Sequence, residues 1–269
     1  MAPTTVAPWR LQPASGETQH DLQQRRDRAY FAWQLADTEV FWRRLSGAAI
    51  DFTGARVLEL GCGHGALSVD AAAKGAAQVL GIDLDDQRIA FAQTHAPQAY
   101  PNLAQVMAFR CVDIAAIEGE AGFDIVLCKD TFEHIMDLPG VVAEVHRLLR
   151  PGGLFVIGTS PLYYSPFGDH GRYLGSGIPW LGAWMPEPLL FRLASVKQRT
   201  KIASAADVGL NKMTPARFRA LFAPNAWDVR MLRYNAGDKR LLRALSALRR
   251  LRSLETLCTV SIYTVLMRR

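Results

Sequence analysis

The chain has 269 residues, of which 49% are hydrophobic and 21% charged, with a formal net charge of +6. This composition is ordinary for a globular domain and excludes a wholly disordered chain. No run of about eighteen consecutive apolar residues occurs, so we expect no transmembrane helix. The N-terminus lacks a basic segment followed by an apolar core, so we expect no secretory signal and a cytoplasmic location.

The four cysteines form no C-x-x-C pair of the kind that binds zinc, so we expect no metal site. All of them lie in or beside apolar runs. We therefore predict reduced, buried thiols, as in a cytoplasmic protein. They are Cys62, Cys111, Cys128 and Cys258.

Residues 1–50 are predicted to form an N-terminal arm and cap helices. Residues 1–16 carry several Pro, Thr and Ala and suggest a loose arm, whereas a helical pattern covers residues 17–45. Aromatic residues in that helix are equally compatible with an ordinary core and with the wall of a ligand pocket. They are Tyr30, Phe31, Trp33, Phe41 and Trp42.

Residues 51–160 alternate predicted strands and helices, which is typical of a parallel sheet covered on both faces. The strands are expected near 55–60, 78–83, 106–112, 123–128 and 154–159, and the helices near 64–74, 86–95 and 138–149. Pro151, Gly152 and Gly153 are predicted to form the turn between the last of these helices and the fifth strand.

The first strand contains Glu59 and runs into three glycines at alternate positions, Gly61, Gly63 and Gly65. Glycine lets the backbone turn tightly and approach a ligand closely. The turn also directs the N–H groups of the next helix toward an anionic group. Asp83 ends the second strand about twenty residues later, where a mononucleotide-binding unit holds ribose hydroxyls. The pattern predicts a nucleoside-cofactor site.

The spacing E-x-G-x-G-x-G differs from the G-x-G-x-x-G of dinucleotide enzymes. Glu59 would repel a pyrophosphate but can accept a hydrogen bond from an ammonium group, directly or through water. This pattern resembles that of the class I S-adenosylmethionine-dependent methyltransferases, in particular their broad small-molecule, type 11 branch. Four further motifs follow in the family's order, so that the resemblance spans about residues 55–160. They are Asp113, residues 123–128, Glu133 with His134, and residues 149–153.

The resemblance implies S-adenosylmethionine as the cofactor. Its methionine part would contact Glu59, Gly61 and Gly63, with Cys62 contributing only backbone groups. Lys129 follows the fourth strand, where the family uses backbone atoms near the methionine ammonium. A lysine side chain is unusual so close to a sulfonium and can point elsewhere.

The resemblance assigns the nucleoside to the next two strands. Asp83 would accept from the ribose hydroxyls, and Leu84 would pack near the adenine. Asp113 would accept from the adenine amino group or else simply start a turn, and Ile114 beside it offers a backbone N–H. Gly65 serves either the ligand or helix packing.

The fold implied is α/β, a Rossmann-like doubly wound sheet of seven strands, mostly parallel with an antiparallel last strand. N-terminal helices and a lid insert after strand 5 complete it, and residues 1–269 would be a single methyltransferase domain. The core would span residues 51–160, and the acceptor or lid insert residues 161–225. A terminal hairpin with an intervening basic helix would occupy residues 226–269.

The insert begins at the carboxyl end of the fifth strand, where ligands of open α/β sheets bind, so it is expected to form the acceptor pocket. His170, in a turn flanked by glycines, is the candidate general base for a hydroxyl, with Asp169 or another carboxylate orienting it. The alternative is a turn held by Asp169 with His170 on the surface. His134 also follows strand four, where a structural or pocket-shaping role is favoured.

Residues 239–256 place leucines at helical spacing among arginines. The simplest interpretation is a helix packed on the domain with solvated arginines. Peripheral contact with a membrane surface is the alternative. Nucleic-acid binding is not expected, because no recognised binding module accompanies the charge. The oligomeric state stays open.

The predicted activity is methyl transfer to a small-molecule acceptor, most simply to a hydroxyl oxygen of a secondary-metabolite or lipid-like substrate. Carbon transfer to a prenyl or polyketide acceptor, or nitrogen transfer, is the alternative. A further alternative is a non-methylating cofactor-binding protein or a cyclase on the same fold.

Overall fold

The computed structural model describes residue 8 and residues 11–119, 122–175, 177–237 and 240–269. Most of the predicted arm (residues 1–7, 9 and 10) and Lys239 of the predicted basic helix lie outside the described residues. The chain divides into two compact units, Met1–Leu127 and Cys128–Arg269. The predicted division into cap, core, insert and hairpin stays a prediction.

The N-terminal unit begins with helix α1 (Gln19–Arg44). A capping box starts it: the Thr18 hydroxyl accepts from the Asp21 N–H at 3.1 Å, and the Asp21 carboxylate accepts from the Thr18 N–H at 3.3 Å. Such a box satisfies two of the backbone donors that a helix leaves unpaired at its start. Arg43 and Arg44 lie in the last turn, where positive charge interacts favourably with the helix dipole.

The rest of this unit alternates strand and helix as the sequence predicts. Its elements are β1 (Arg56–Leu60), α2 (Ala66–Ala73), β2 (Gln78–Asp83), α3 (Asp86–Ala99), β3 (Met107–Cys111) and β4 (Phe123–Lys129), whose last two residues belong to the second unit. β1 pairs in parallel with β2 and β4, and β2 with β3. The Asp124 carboxylate accepts from the Arg56 N–H at 2.7 Å, so it links the starts of β4 and β1.

The second unit contains the remaining strands and six α-helices among its described residues. They are α4 (Leu138–Leu148), β5 (Leu149–Thr159), α5 (Leu181–Trp184), α6 (Glu187–Gln198), α7 (Pro215–Ala220), β6 (Trp227–Tyr234), α8 (Arg240–Leu248), α9 (Glu255–Cys258) and β7 (Ile262–Arg268). β7 runs antiparallel to both β5 and β6. The strand order is β3-β2-β1-β4-β5-β7-β6, which confirms the predicted seven-stranded, mostly parallel α/β sheet.

The turn predicted at residues 151–153 is wrong, because these residues lie within the bounds of β5. α4 ends at Leu148 and the strand starts immediately after it. Gly152 has a φ of 77°, which a residue with a side chain rarely adopts. Pairing with β7 begins only at Leu154, so the glycine marks an irregular entry to the strand.

The single basic helix predicted for residues 239–256 is also wrong. α8 ends at Leu248, and residues 249–254 turn before α9. Arg249 explains the turn: its guanidinium lies 3.2 Å from Glu255, 3.1 Å from the Thr259 hydroxyl and 3.7 Å from the centre of the Tyr234 ring. If the helix continued without a break, Glu255 and Thr259 could not fold back to contact Arg249.

One cysteine departs from the expected burial. Cys62, Cys128 and Cys258 are buried free thiols, but Cys111 is an exposed one. β3 ends the sheet, with β2 as its one neighbouring strand, and Cys111 is its last residue. The apolar run alone did not reveal that position.

The chain between β5 and α7 forms a small hydrophobic core of its own. Its buried members are Tyr163, Tyr173, Leu181, Leu190, Phe191, Ala194, Ile202, Ala205, Val208 and Leu210. The hydroxyls of Tyr163 and Tyr173 are 3.0 Å apart inside it, and burial raises the pKa of Tyr163 to about 12. These residues therefore stabilise the insert. In the described parts of the chain, no helix is both long and apolar enough to cross a membrane.

Gly168 tests how tightly this insert is packed. A Cβ at Gly168 would lie 2.1 Å from the Leu162 carbonyl oxygen, whereas one at Gly177 would have only the Phe167 ring, 4.0 Å away. Gly168→Ala should lower the free energy of unfolding by about 1–3 kcal/mol, because a backbone contact cannot yield easily. Urea denaturation checks this, with Gly177→Ala as the control. Equal stability of the two variants would contradict the packing argument.

Candidate functional site

The glycine loop follows β1 and begins α2. Gly61, Gly63 and Gly65 all have positive φ angles, 72°, 52° and 84°. A Cβ at Gly63 would meet nothing closer than the Arg88 side chain at 4.0 Å, so this glycine faces open space. A Cβ at Gly65 would lie 2.7 Å from the Phe109 ring, so Gly65 serves helix packing. The loop leaves room for a ligand at Gly63.

Asp83 fastens this loop to the end of β2. Its Oδ2 accepts from the Gly63 N–H at 2.8 Å, and its Oδ1 accepts from the Asp85 N–H at 3.0 Å. The sequence pattern does not reveal this contact, because Gly63 and Asp83 belong to different elements. A carboxylate has about four lone-pair sites, so ribose hydroxyls can still donate to the same oxygens.

Glu59 is buried within the strand and is held by a residue that the sequence pattern does not single out. Its carboxylate accepts from the Ser68 hydroxyl of α2 at 2.5 Å. The Cys62 side chain is buried beside the loop, and burial raises the pKa of its thiol. Cys62 therefore stays a neutral thiol, and a ligand would meet its backbone.

The nucleoside candidates follow β2 and β3. The Leu84 side chain is 72% exposed, so it offers an apolar surface to a ligand. The Asp113 Oδ1 accepts from the Ala115 N–H at 2.8 Å and starts the short turn at Ile114–Ala116. Asp113 is exposed, whereas the Ile114 side chain is buried. Asp113 is thus the predicted turn starter, and its carboxylate still faces solvent.

A cavity of about 360 Å³ lies beside the loop in the same unit. It is lined by Pro8, Gln23, Arg26, Asp27, Tyr30, His64, Asp85, Gln87 and Arg88. His64 Nε2 is 3.2 Å from an oxygen of Asp27, and its buried Nδ1 has no hydrogen-bond partner among the described residues. Burial lowers the pKa of His64. Of the α1 aromatics, Tyr30 lines the cavity, whereas Phe31 and Phe41 belong to the core.

These features fit a nucleoside that carries an amino-acid tail. The backbone is open at Gly63, a carboxylate with spare lone pairs stands at Asp83, and an apolar side chain is uncovered at Leu84. His64 and Asp27 were not among the predicted site residues. Only the cavity between α1 and the loop reveals them.

Lys129 lies in the second unit, at the end of β4. Its ammonium is 2.8 Å from the Asp130 carboxylate, and its side chain is mostly buried. The Asp130 carboxylate thus offsets the positive charge of this side chain.

Glu133 is a fully buried carboxyl in the same unit. It accepts from the Thr159 hydroxyl at 2.7 Å and from the Ser160 N–H at 3.3 Å. Burial raises the pKa of Glu133 to about 8, so the group holds a proton at neutral pH. The Asn211 amide donates to the Phe132 and Ile135 carbonyls, each at 2.7 Å. Both contacts hold the turn after β4 in place.

The structure brings the two candidate histidines together. The rings of His134 and His170 have centroids 5.3 Å apart and an interplanar angle of 66°. His134 Nδ1 donates to the Gly209 carbonyl at 2.6 Å, and His170 Nε2 donates to the Pro161 carbonyl at 3.0 Å. Because a carbonyl only accepts, His170 carries its proton on Nε2 and a lone pair on Nδ1. Burial lowers the pKa of His170 to about 4.

Asp169 does not orient His170, contrary to one of the expectations, since the Pro161 carbonyl has that position. The Asp169 side chain is buried, and burial raises its pKa, although a hydrogen bond from the Gly171 backbone opposes the shift. Its Oδ2 has no hydrogen-bond partner among the described residues. His170 itself has a φ of 52°, which the turn imposes.

Part of the chain is similar to known proteins. Residues 58–157 match the family model described as a methyltransferase domain. The ubiquinone biosynthesis O-methyltransferase of Psychrobacter cryohalolentis is 37% identical over 114 residues, which cover 42% of this chain and 43% of that protein. The chain thus spans less than half the length of the curated relatives it matches.

Solved structures show the same fold. A putative S-adenosylmethionine-dependent methyltransferase from Listeria monocytogenes superposes with a TM-score of 0.55 at 17% identity, covering 86% of this chain and 99% of that one. Magnesium protoporphyrin IX methyltransferase from Synechocystis PCC 6803, with bound SAH, gives a TM-score of 0.53 at 17% identity, covering 97% and 93%. Similarity at this level concerns the fold.

Glu133 makes stability depend on pH. Its pKa is about 8 in the folded chain and 4.5 ordinarily, so between these values the unfolded state releases a proton that the folded state keeps. Stability should therefore fall as pH rises through this window, by up to about 1.4 kcal/mol per pH unit. Glu133→Gln should flatten the dependence and exposed Glu118→Gln should not. Urea unfolding across the window measures it, and unchanged slopes would argue against a protonated Glu133.

Proposed function

We propose that the chain, whose residues 58–157 match the model of a methyltransferase domain, is a class I S-adenosylmethionine-dependent methyltransferase and methylates a small-molecule acceptor at a hydroxyl oxygen. The observation that carries the cofactor assignment is the glycine loop held to Asp83, with open space at Gly63. The oxygen assignment is supported by the name of the curated relatives, ubiquinone biosynthesis O-methyltransferase. More specifically, we propose that the acceptor is a secondary metabolite or a lipid-like compound.

The cofactor supplies a methyl group on a positively charged sulfur. We assign the ribose hydroxyls to the Asp83 carboxylate and the adenine to Leu84 and the exposed Asp113. Ile114 contributes its backbone N–H. Each contact uses a group that the fold has already positioned, so little ordering is needed on binding.

The methionine part falls to the glycine loop and its neighbours. Gly61, Cys62 and Gly63 offer backbone groups. Glu59 and Lys129 complete the assignment, Glu59 through its carboxylate and Lys129 through its backbone. Binding and orientation are the main task of these residues, because holding two reactants in a reactive geometry can supply about 7–11 kcal/mol of barrier reduction.

A hydroxyl acceptor must lose its proton as the new bond to oxygen forms. We assign this role to His170, whose Nδ1 carries a lone pair while Nε2 is held by the Pro161 carbonyl. His134 shapes the surroundings of His170 from 5.3 Å away. Asp169 stays in the proposal as a positioning residue for the turn.

The carbon-acceptor alternative depends on an aromatic pocket that stabilises positive charge. Tyr163 and Tyr173 are buried in the core of the insert and hydrogen-bonded to each other, so they contribute to stability there. These two buried rings therefore give no support to carbon methylation. A panel of phenols, alcohols, amines and prenylated compounds with methyl-labelled S-adenosylmethionine tests the proposal, and label on carbon or nitrogen alone would contradict it.

Asp83→Asn should weaken binding of S-adenosylmethionine about 10- to 100-fold, because hydrogen bonds to a charged group are worth about 1.5–3 kcal/mol. Titration calorimetry with this cofactor and with S-adenosylhomocysteine measures the change. Asp86→Asn removes a neighbouring exposed carboxylate and should leave affinity unchanged. Thermal unfolding without cofactor separates loss of loop structure from loss of ligand contacts. Normal affinity in folded Asp83→Asn would remove Asp83 from the site.

The pKa of about 4 keeps His170 neutral, its base form, at all higher pH. Single-turnover rates should therefore stay level on lowering the pH through neutrality and decline only near 4. His170→Asn should reduce the rate about 100-fold or more while cofactor affinity is retained. A decline centred on the ordinary imidazole value of 6.5, or a near-normal rate in the variant, would contradict the assignment.

A further inference from the structure

Helix α8 exposes part of its apolar side. Leu245 is 3% exposed and packs inward, but Leu241 is 55% exposed and Leu248 45%. With the exposed Ala244, these two leucines follow the spacing i, i+3, i+7, which places them on one side of a helix. Leu251, in the following turn, is 57% exposed. The helix therefore presents a row of apolar side chains that the described residues of its own unit do not cover.

Exposed arginines lie in the same segment as these leucines. None of them forms an ion pair with another residue in the described parts of the chain. They are Arg240, Arg243, Arg250 and Arg252. Arg249 differs from them, because it turns inward onto Glu255 and the Tyr234 ring. The segment thus combines uncovered leucines with arginines that no carboxylate of the described residues neutralises, and we call residues 240–252 the basic strip.

We propose that the basic strip binds an anionic membrane surface. Apolar side chains of an amphipathic helix enter the boundary between headgroups and acyl chains, while arginines remain at the phosphates. The α8 leucines would enter the boundary between headgroups and acyl chains, and the exposed arginines would bind the lipid phosphates. This proposal is independent of the proposed function, since no residue of the strip belongs to the cofactor or acceptor assignment.

Charge and composition favour this partner over two others. A nucleic acid would attract the arginines but would leave Leu241 and Leu248 in water. A second copy of the chain could cover the leucines, but in a two-fold arrangement it would bring like charges together. An anionic membrane satisfies both kinds of group at once.

The experiment measures binding of the full chain to vesicles by sedimentation. One vesicle preparation contains equal parts of phosphatidylcholine and phosphatidylglycerol, and the other contains phosphatidylcholine alone. We expect binding to the first and much weaker binding to the second. The double variant Arg240→Ser/Arg243→Ser should lose about tenfold or more in partition coefficient, since each arginine near an anionic surface contributes about fivefold.

Two further variants separate charge from insertion. Leu241→Ser/Leu248→Ser keeps every charge and should also lose about tenfold or more, because both leucines would no longer be buried in lipid. Arg43→Ser/Arg110→Ser removes two exposed charges from the N-terminal unit and should bind as the parent does. Thermal unfolding of each variant verifies that the fold is retained.

The proposal is overturned by either of two results. If the parent protein does not bind the anionic vesicles, a membrane is excluded as the partner. Binding that is lost with the arginines but unchanged with the leucines identifies a general polyanion site, and equal binding to heparin would agree with that. Loss in both the arginine and leucine variants, with the control unchanged, supports insertion of the basic strip.

Discussion

The hydrogen bond from the Gly63 amide to the Asp83 carboxylate is the contact on which the candidate cofactor site depends. It joins the loop after β1 to the end of β2, and the same carboxylate accepts from Asp85 at the start of the next helix. A loop with positive φ at Gly61 and Gly63 has few contacts of its own to select one conformation. One carboxylate therefore shapes the loop and offers its remaining lone pairs to a ligand.

The second unit uses buried polar groups in a different way. Burial disfavours the charged form of either group, so the Glu133 carboxyl holds its proton, whereas His170 is a neutral imidazole with a proton on Nε2 and none on Nδ1. Backbone carbonyls hold one nitrogen each of His134 and His170. The orientation of both rings thus depends on the main chain of the insert. A neutral imidazole with a fixed tautomer is suited to accepting a proton, although its low pKa makes it a weak base.

Arginines make up much of the chain's positive charge, and their surroundings separate them into two kinds. Arg219 and Arg249 are paired with Glu255 and so link α7 to α9, and Arg249 also donates to Thr259 just after α9. The exposed arginines of the basic strip, Arg240, Arg243, Arg250 and Arg252, lie in solvent beside leucines that are also uncovered. Arginines of the first kind stabilise the fold, and those of the second kind can interact with a binding partner.

The sequence determined the fold class, the order of strands and helices, and the glycine loop with Asp83 and Asp113, because periodicity and turn chemistry are local properties. Only the tertiary structure decided which residues meet across long separations. Ser68 against Glu59, Asp27 against His64 and the Pro161 carbonyl in place of Asp169 all depend on packing between elements. The break after Leu248 and the exposure of Cys111 have the same cause. Neither a contact made by a distant residue nor a position at the sheet edge leaves a signal in the local pattern of apolar residues.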